Sequence, residues 1–239
     1  MLSDAAATLP AMSDEGFEWI QQDLTSWGFY LEMVKGVSVE ELAAMRGADP
    51  GLGIMSPDVF NKTLDRSGNI PDWARLGEHA GWAFALCGGD DGFYMQRPDH
   101  VKHLWEGRTW LTIMDTTMDP PVIDVIVDGK LDWSYFDGEV HEAVRADHPL
   151  TRRMTAEIGL GGLAPNPDSP DEPDEPDEPD EWRLHVPDIR DVYRLMGEHY
   201  GLSLPRRTIV GEELVGVFTS PRVYANGEPN TRYDNIRLP

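Results

Sequence analysis

Only one of the 239 residues, Cys87, is a cysteine, so no disulfide can close within the chain. That usage agrees with a reducing compartment. Long apolar runs are also missing: none approaches the ~18 residues that a membrane-spanning helix requires. The opening residues Met1-Leu2-Ser3-Asp4-Ala5 carry neither the basic region nor the apolar core of a secretory signal, and a cytoplasmic location is the expectation. Positive charge is scarce. Lys and Arg number 20 against 43 Asp and Glu, a formal net charge of −23. Nine of the acidic residues fall between Asp168 and Glu181, yet the rest of the chain still carries a formal −14. Such a chain repels phosphate backbones and anionic headgroups. Nucleic acid and membrane surfaces are therefore poor partners, and a protein with a basic surface is a good one.

Reaction motifs are equally sparse. No glycine-rich segment precedes Lys-Ser or Lys-Thr at the spacing of a phosphate loop. Ile158-Gly159-Leu160-Gly161-Gly162 follows an expected helix rather than a strand, so its amides do not open a dinucleotide-binding helix. No serine has glycine two residues away on both sides, as a nucleophile elbow needs. His100 and His103 are three apart on an expected helix, but two imidazoles do not make a metal site and no cysteine pair or second histidine pair completes one. A surface or capping role fits them better. Asp90, Asp91, Asp115 and Asp119 fall at strand ends and turns, where paired carboxylates can serve as acid and base or hold calcium. Their spacing matches no calcium loop, and aspartate is favoured in turns for its own backbone hydrogen bonds. Cys87 lies in an apolar strand and reads as a packed small hydrophobe. The eight tryptophans read mainly as core. Asn61-Lys62-Thr63 matches a glycosylation acceptor only by coincidence if the chain is not secreted. No catalytic, cofactor-binding or metal-ligating residue is assigned, and no cofactor is expected.

What the sequence does contain is a sheet between His79 and Phe136. The runs Trp82 to Cys87, Thr109 to Met114, Val122 to Val127 and Lys130 to Phe136 are rich in β-branched and aromatic residues. Asp128-Gly129 separates the last two and tolerates the positive φ angles of a tight hairpin turn. Alternation places Val125 and Val127 on one face and Leu131, Trp133 and Tyr135 on alternate positions of the return strand. Arg97 to Gly107 reads as a short helix between two strands. The expected fold class is α+β: a mostly antiparallel sheet of about four to six strands under short helices.

Elsewhere, Phe17, Ile20 and Leu24 fit one face of a helix beginning at Ser13, and Trp27 to Val34 alternates as a strand. Ser38 and Glu41 form a capping box, with Val37 and Leu42 as its hydrophobic staple, ahead of a helix from Val39 to Arg46 that stops at Gly47. Ser56-Pro57-Asp58 opens a helix through Leu64. Trp73 and Leu76 read as a loop or single turn. Glu139 to Ala146 fits a strand or a helix equally. Leu150 to Ile158 reads as a helix ended by Gly159. Four Pro-Asp-Glu triplets from Pro170 to Glu181 have almost nothing apolar to bury, so a disordered acidic linker is expected, ~37 Å long if polyproline. Ile189, Val192, Leu195 and Met196 form the apolar stripe of a helix that ends at Tyr200-Gly201. A further short helix is expected near Gly211 to Leu214. The domain reading is a flexible tail at 1–12, a main domain at 13–163, the linker at 164–181, a helical segment at 182–218 that returns to the same domain, and a loose tail at 219–239.

Tyr30 to Leu42, Gly47-Ala48-Asp49-Pro50, and Gly81 to Leu86 with its Gly92-containing turn resemble an uncharacterised actinobacterial family, common in streptomycetes and catalogued as a domain of unknown function. The likeness runs on through the Asp128-Gly129 hairpin to the helix at Asp188 to Gly201, about two thirds of the chain. The chain departs from that family after Ile113, where a more polar stretch is usual, and in its Pro-Asp-Glu insert. The resemblance implies the fold and no site residue. In organisation the chain is also similar to small bacterial toxin-immunity proteins, which are acidic, cytosolic and α+β. The expected function is a non-catalytic protein-binding role, immunity-like or regulatory, that masks a basic partner. The alternatives are a carboxylate-dependent hydrolase and a structural module of a larger assembly.

Overall fold

The structure, a computed structural model, describes residues 15–24, 28–67, 71–88, 106–116, 120–141, 144, 147–161, 186–219 and 228–239. Its centre is an antiparallel sheet built from β2 (Phe29–Lys35), β3 (Trp73–His79), β4 (Trp82–Gly88), β5 (Thr109–Asp115), β6 (Val122–Val127), β7 (Lys130–Phe136), β8 (Glu139–Val140) and β10 (Val215–Phe218). The strand order is β10-β3-β4-β2-β5-β6-β7-β8. A small second sheet pairs β1 (Glu15–Gly16) with β9 (Leu204–Pro205). The α+β class and antiparallel sheet stand, but with eight strands among the described residues the sheet exceeds the four to six expected.

Period-two alternation divides the central strands between two cores. Phe29, Leu31 and Met33 of β2, Trp82 and Phe84 of β4, and Leu111 and Ile113 of β5 enter the larger one. There they meet α1 (Ile20–Asp23), α4 (Pro149–Ile158), α5 (Ile189–Tyr200) and α6 (Arg206–Val210) through Ile20, Leu150, Met154, Val192, Leu195, Met196 and Ile209. On the opposite face, where Val34, Leu76, Trp110 and Val217 are also buried, β3 and β4 present the small residues Ala74, Ala83, Ala85 and Cys87 with Leu42, Ala43 and Met45 of α2 (Val39–Met45) in the same cluster. Small side chains there let α2 lie close to the strands. Both faces are covered, which is why β4 reads as a continuous apolar run rather than an alternating one. A third cluster joins Phe60 of α3 (Pro57–Arg66) to Met55 and Phe218 at the β10 edge.

Several local signals act as expected. The Ser38 hydroxyl accepts from the Glu41 amide at 3.1 Å and the Glu41 carboxylate accepts from the Ser38 amide at 2.9 Å. Asp128 and Gly129 both have positive φ, at 51° and 74°, in the turn between β6 and β7. Gly159 and Gly201 end α4 and α5 in the left-handed conformation.

Four readings are corrected. Trp73 to His79 is a full strand, not a loop, because it pairs with β4 along its whole length and with β10 over its first half. The helix expected from Ser13 shrinks to Ile20–Asp23, since Glu15–Gly16 is drawn into pairing with Leu204–Pro205. The helix expected near Gly211 lies earlier, at Arg206–Val210, with Gly211 as its C-terminal cap and β10 after it. The tail expected to be loose contains a 3-10 helix, Thr231–Asn235, whose Tyr233 packs with Ile236 on the Phe60 cluster. Leu131 also departs from its expected face. The register shifts beside Val125, so that Ile126 pairs with Leu131, Asp132 is the extra residue of a bulge, and Leu131 is left 40% exposed. Within the stretch from Glu139 to Ala146, which fits a strand or a helix equally by sequence, Glu139–Val140 is a short strand, and positions 142, 143, 145 and 146 lie outside the described residues.

Candidate functional site

Carboxylates are the commonest charged groups of this chain, and among the described residues several are matched by lysine or arginine. Glu32 pairs with Arg46, Asp23 with Arg206, Asp58 with Lys62, Glu212 with Arg75, Glu157 and Glu198 with Arg153, Asp188 with Arg190 and Asp191 with Arg194. One cleft gathers three that are not so matched. It holds about 550 Å³ beside the far end of β3. The first turn of α2 closes one side with Val39 and Glu40, and Pro205 and Thr208 of the α6 segment close the other. Leu76, Phe84 and Leu214 are buried and form an apolar floor. Glu40, Glu78 and Glu213 stand around it, all exposed. No lysine or arginine lines it. None of the three carboxylates meets a cation among the described residues.

Sequence dictates this opening. Glu212 takes a positive φ of 57°, and the Glu213 amide donates to the Thr208 carbonyl at 2.9 Å. The chain therefore leaves the edge of β3 before it can pair beyond Leu76, where the β10 register ends with Val215. Gly77 is needed at that point, because a Cβ there would fall 2.4 Å from the Phe84 ring. Phe84 covers the glycine and so supplies the floor of the cleft. Chemically the arrangement offers apolar contact and negative charge, with the Thr208 hydroxyl and the His79 imidazole also at its lining.

A second cluster gathers where β7 meets the ends of α4 and α5. The bulge turns Asp132 toward it, and its Oδ2 accepts the Tyr200 hydroxyl at 2.8 Å and lies 3.4 Å from His148 Nε2. His148 is the N-cap of α4, and its Nδ1 accepts from the Leu150 amide at 3.3 Å. That bond assigns the imidazole proton to Nε2, facing Asp132. The ring thus has no free acceptor with which to take a proton from a substrate. Burial and the neighbouring His148 hold His199 below the usual histidine range, and its ring rests edge-on against Tyr200 at 4.7 Å. This cluster ties the helix ends to the sheet.

Of the candidates named in the sequence, Asp115 is buried at the end of β5, where its Oδ2 accepts the Tyr193 hydroxyl at 2.9 Å. Burial raises its carboxyl above the ordinary range and the Tyr193 bond opposes that rise. Asp90, Asp91, Asp119, His100 and His103 lie outside the described residues, as do positions 97–105 of the helix expected at 97–107 and the Pro-Asp-Glu tract. Cys87 is buried without a disulfide partner, and burial pushes its thiol up to about 12. Trp19, Trp82, Trp110 and Trp133 are buried in the cores. Among the described residues, no three His, Cys, Asp or Glu side chains gather as a metal site, and no helix is long and apolar enough to cross a membrane. Sequence reasoning missed Glu40, Glu78 and Glu213, which are 38 and 135 positions apart in succession and carry no shared local pattern. It also missed Asp132, His148 and Tyr200, which only the bulge assembles.

No family model, curated protein or solved structure matches this chain.

Proposed function

We propose that this chain is a protein-binding protein whose partner presents a basic surface, and that the cleft beside β3 is where that surface is engaged. The observation that carries this is the convergence of three carboxylates, Glu40, Glu78 and Glu213, around one apolar floor that no lysine or arginine lines. Unmatched charge beside apolar surface suits a partner that supplies both a cation and a hydrophobic contact. An immunity-like or regulatory role in the cytoplasm, in which binding masks the partner, belongs to the same proposal, as does the kinship with the streptomycete-type family.

The test is recovery of partners by the tagged full chain from an actinobacterial host at low and high salt, beside the variant Glu40→Gln/Glu78→Gln/Glu213→Gln. A stoichiometric basic protein that is retained at low salt, released at high salt and lost from the variant is the expected result. Recovery of the same protein by the variant at equal yield sinks the assignment to this cleft.

A further inference from the structure

The proposed cleft contains more than charge. Backbone geometry shows which groups of β3 face it. Met55 and Gly216 exchange both of their backbone hydrogen bonds, at 2.9 and 3.1 Å, so Gly216 faces away from β3. Its neighbours Val215 and Val217 must then turn their amides and carbonyls toward β3, and their register partners Leu76 and Ala74 turn theirs toward β10. Asp72 keeps the same sense, its carbonyl accepting from the Thr219 amide at 2.8 Å. Alternation then directs the N–H and C=O of Glu78 outward at the same edge. There β10 has already departed, and no backbone partner for Glu78 is present among the described residues. The result is a sheet edge open over Gly77 to His79, walled by α2 on one face and the α6 segment on the other.

We infer that this edge takes an extended, basic segment of the partner protein as an added strand, in line with β10 and hydrogen-bonded to the backbone of Glu78. This rests on the basic-partner reading and specifies its mode. An unpaired strand edge is a template for another chain. Successive residues of the guest point to opposite faces of the sheet, so adjacent basic side chains reach different acids: one toward Glu40 and Glu78 beside α2, the next toward Glu213 beside α6. Apolar neighbours in the guest meet the floor of Leu76, Phe84 and Leu214 and the half-exposed Ile54. The open edge is short, so backbone pairing sets the register while charge and the floor supply most of the affinity.

The experiment uses the full chain and a blocked seven-residue peptide of valine, lysine and arginine, with binding followed by titration calorimetry and amide NMR. Three comparisons separate the claims. One peptide carries an N-methyl group on its central amide, one has its basic residues replaced by glutamine, and the Glu78→Pro protein is compared with Glu78→Gln, which lacks the same carboxylate but keeps the amide. Proline at 78 removes an amide that β4 does not use, so the β3–β4 pairing is kept. Strand addition predicts hydrogen-exchange protection of the Glu78 amide on binding, and about tenfold weaker binding for the N-methylated peptide than for the unmodified one and for Glu78→Pro than for Glu78→Gln. If those two bind like their comparators while the glutamine peptide does not bind, the guest is held by charge alone: strand addition is overturned and the basic-partner reading stands. If the unmodified peptide does not bind even at low salt, and the Glu40→Gln/Glu78→Gln/Glu213→Gln variant recovers the same cellular partners as the parent, both fail. The N-methylated peptide keeps the test decisive should Glu78→Pro not fold.

Discussion

Arg46 Nη1 donates to Glu32 Oε2 at 2.7 Å, and both side chains are almost wholly buried, at 5% and 2% exposure. The pair joins the end of α2 to the middle of β2, and the guanidinium lies 5.7 Å from the centre of the Tyr30 ring. Arg46 Nε has no hydrogen-bond partner, so the bond to Glu32 is the main compensation for burying this charge. Removing either partner alone leaves an unmatched buried ion, with an expected loss of about 3–5 kcal/mol. Glu32→Met combined with Arg46→Met should lose less than either Glu32→Ala or Arg46→Ala. Urea unfolding of the three variants checks this, and single losses below about 1 kcal/mol would show that water reaches the pair.

Asp115 yields a pH prediction. Its folded-state pKa is raised above the ordinary value of about 3.9 by burial, so the folded protein holds the proton more tightly than the unfolded chain. The stabilisation is complete below the ordinary pKa and is lost as pH rises through the raised one. Asp115→Asn keeps an acceptor for Tyr193 and removes the titration. The stability of this variant relative to the parent should therefore grow between pH 4 and pH 7 in urea melts. A difference that stays constant across that range contradicts the assignment.

Cys87 should resist thiol reagents at pH 8 in the folded protein, since burial pushes its pKa up to about 12 and the thiolate is the reactive form. Denatured chain should react at the rate of an ordinary cysteine. Equal rates in native and denatured samples would mean that the α2 face of the sheet opens freely.

Gly216 has no room for a side chain: an added Cβ would stand 2.1 Å from the Phe60 ring. Gly216→Ala should destabilise by about 1–3 kcal/mol through overpacking. Gly216→Ala/Phe60→Leu should lose less than the two single changes together, read from thermal melts of the four proteins.

Elements whose causes lie within a few residues of one another were open to inspection in the sequence. The Ser38–Glu41 capping box, the Asp128-Gly129 turn and the stripe of α5 each combine a local hydrogen-bonding or periodic pattern with a marked end. β3 was not open in this way. Arg75, Gly77 and Glu78 interrupt its apolar pattern, and it is a strand because β4 and β10 pair with it, not because of its own propensity. The bulge at Asp132 has the same character, since it exists only relative to the register of β6.

By itself the sequence determined the α+β class, the boundaries of the capped helices, the central hairpin and the acidic character, because each follows from composition or from contacts short along the chain. The tertiary structure alone decided that β10 stops short of Glu78, that Glu40, Glu78 and Glu213 surround the same cleft, and that Asp115 is sealed against Tyr193. Those relationships join residues up to 173 positions apart, and they arise only when the sheet sets its pairing order.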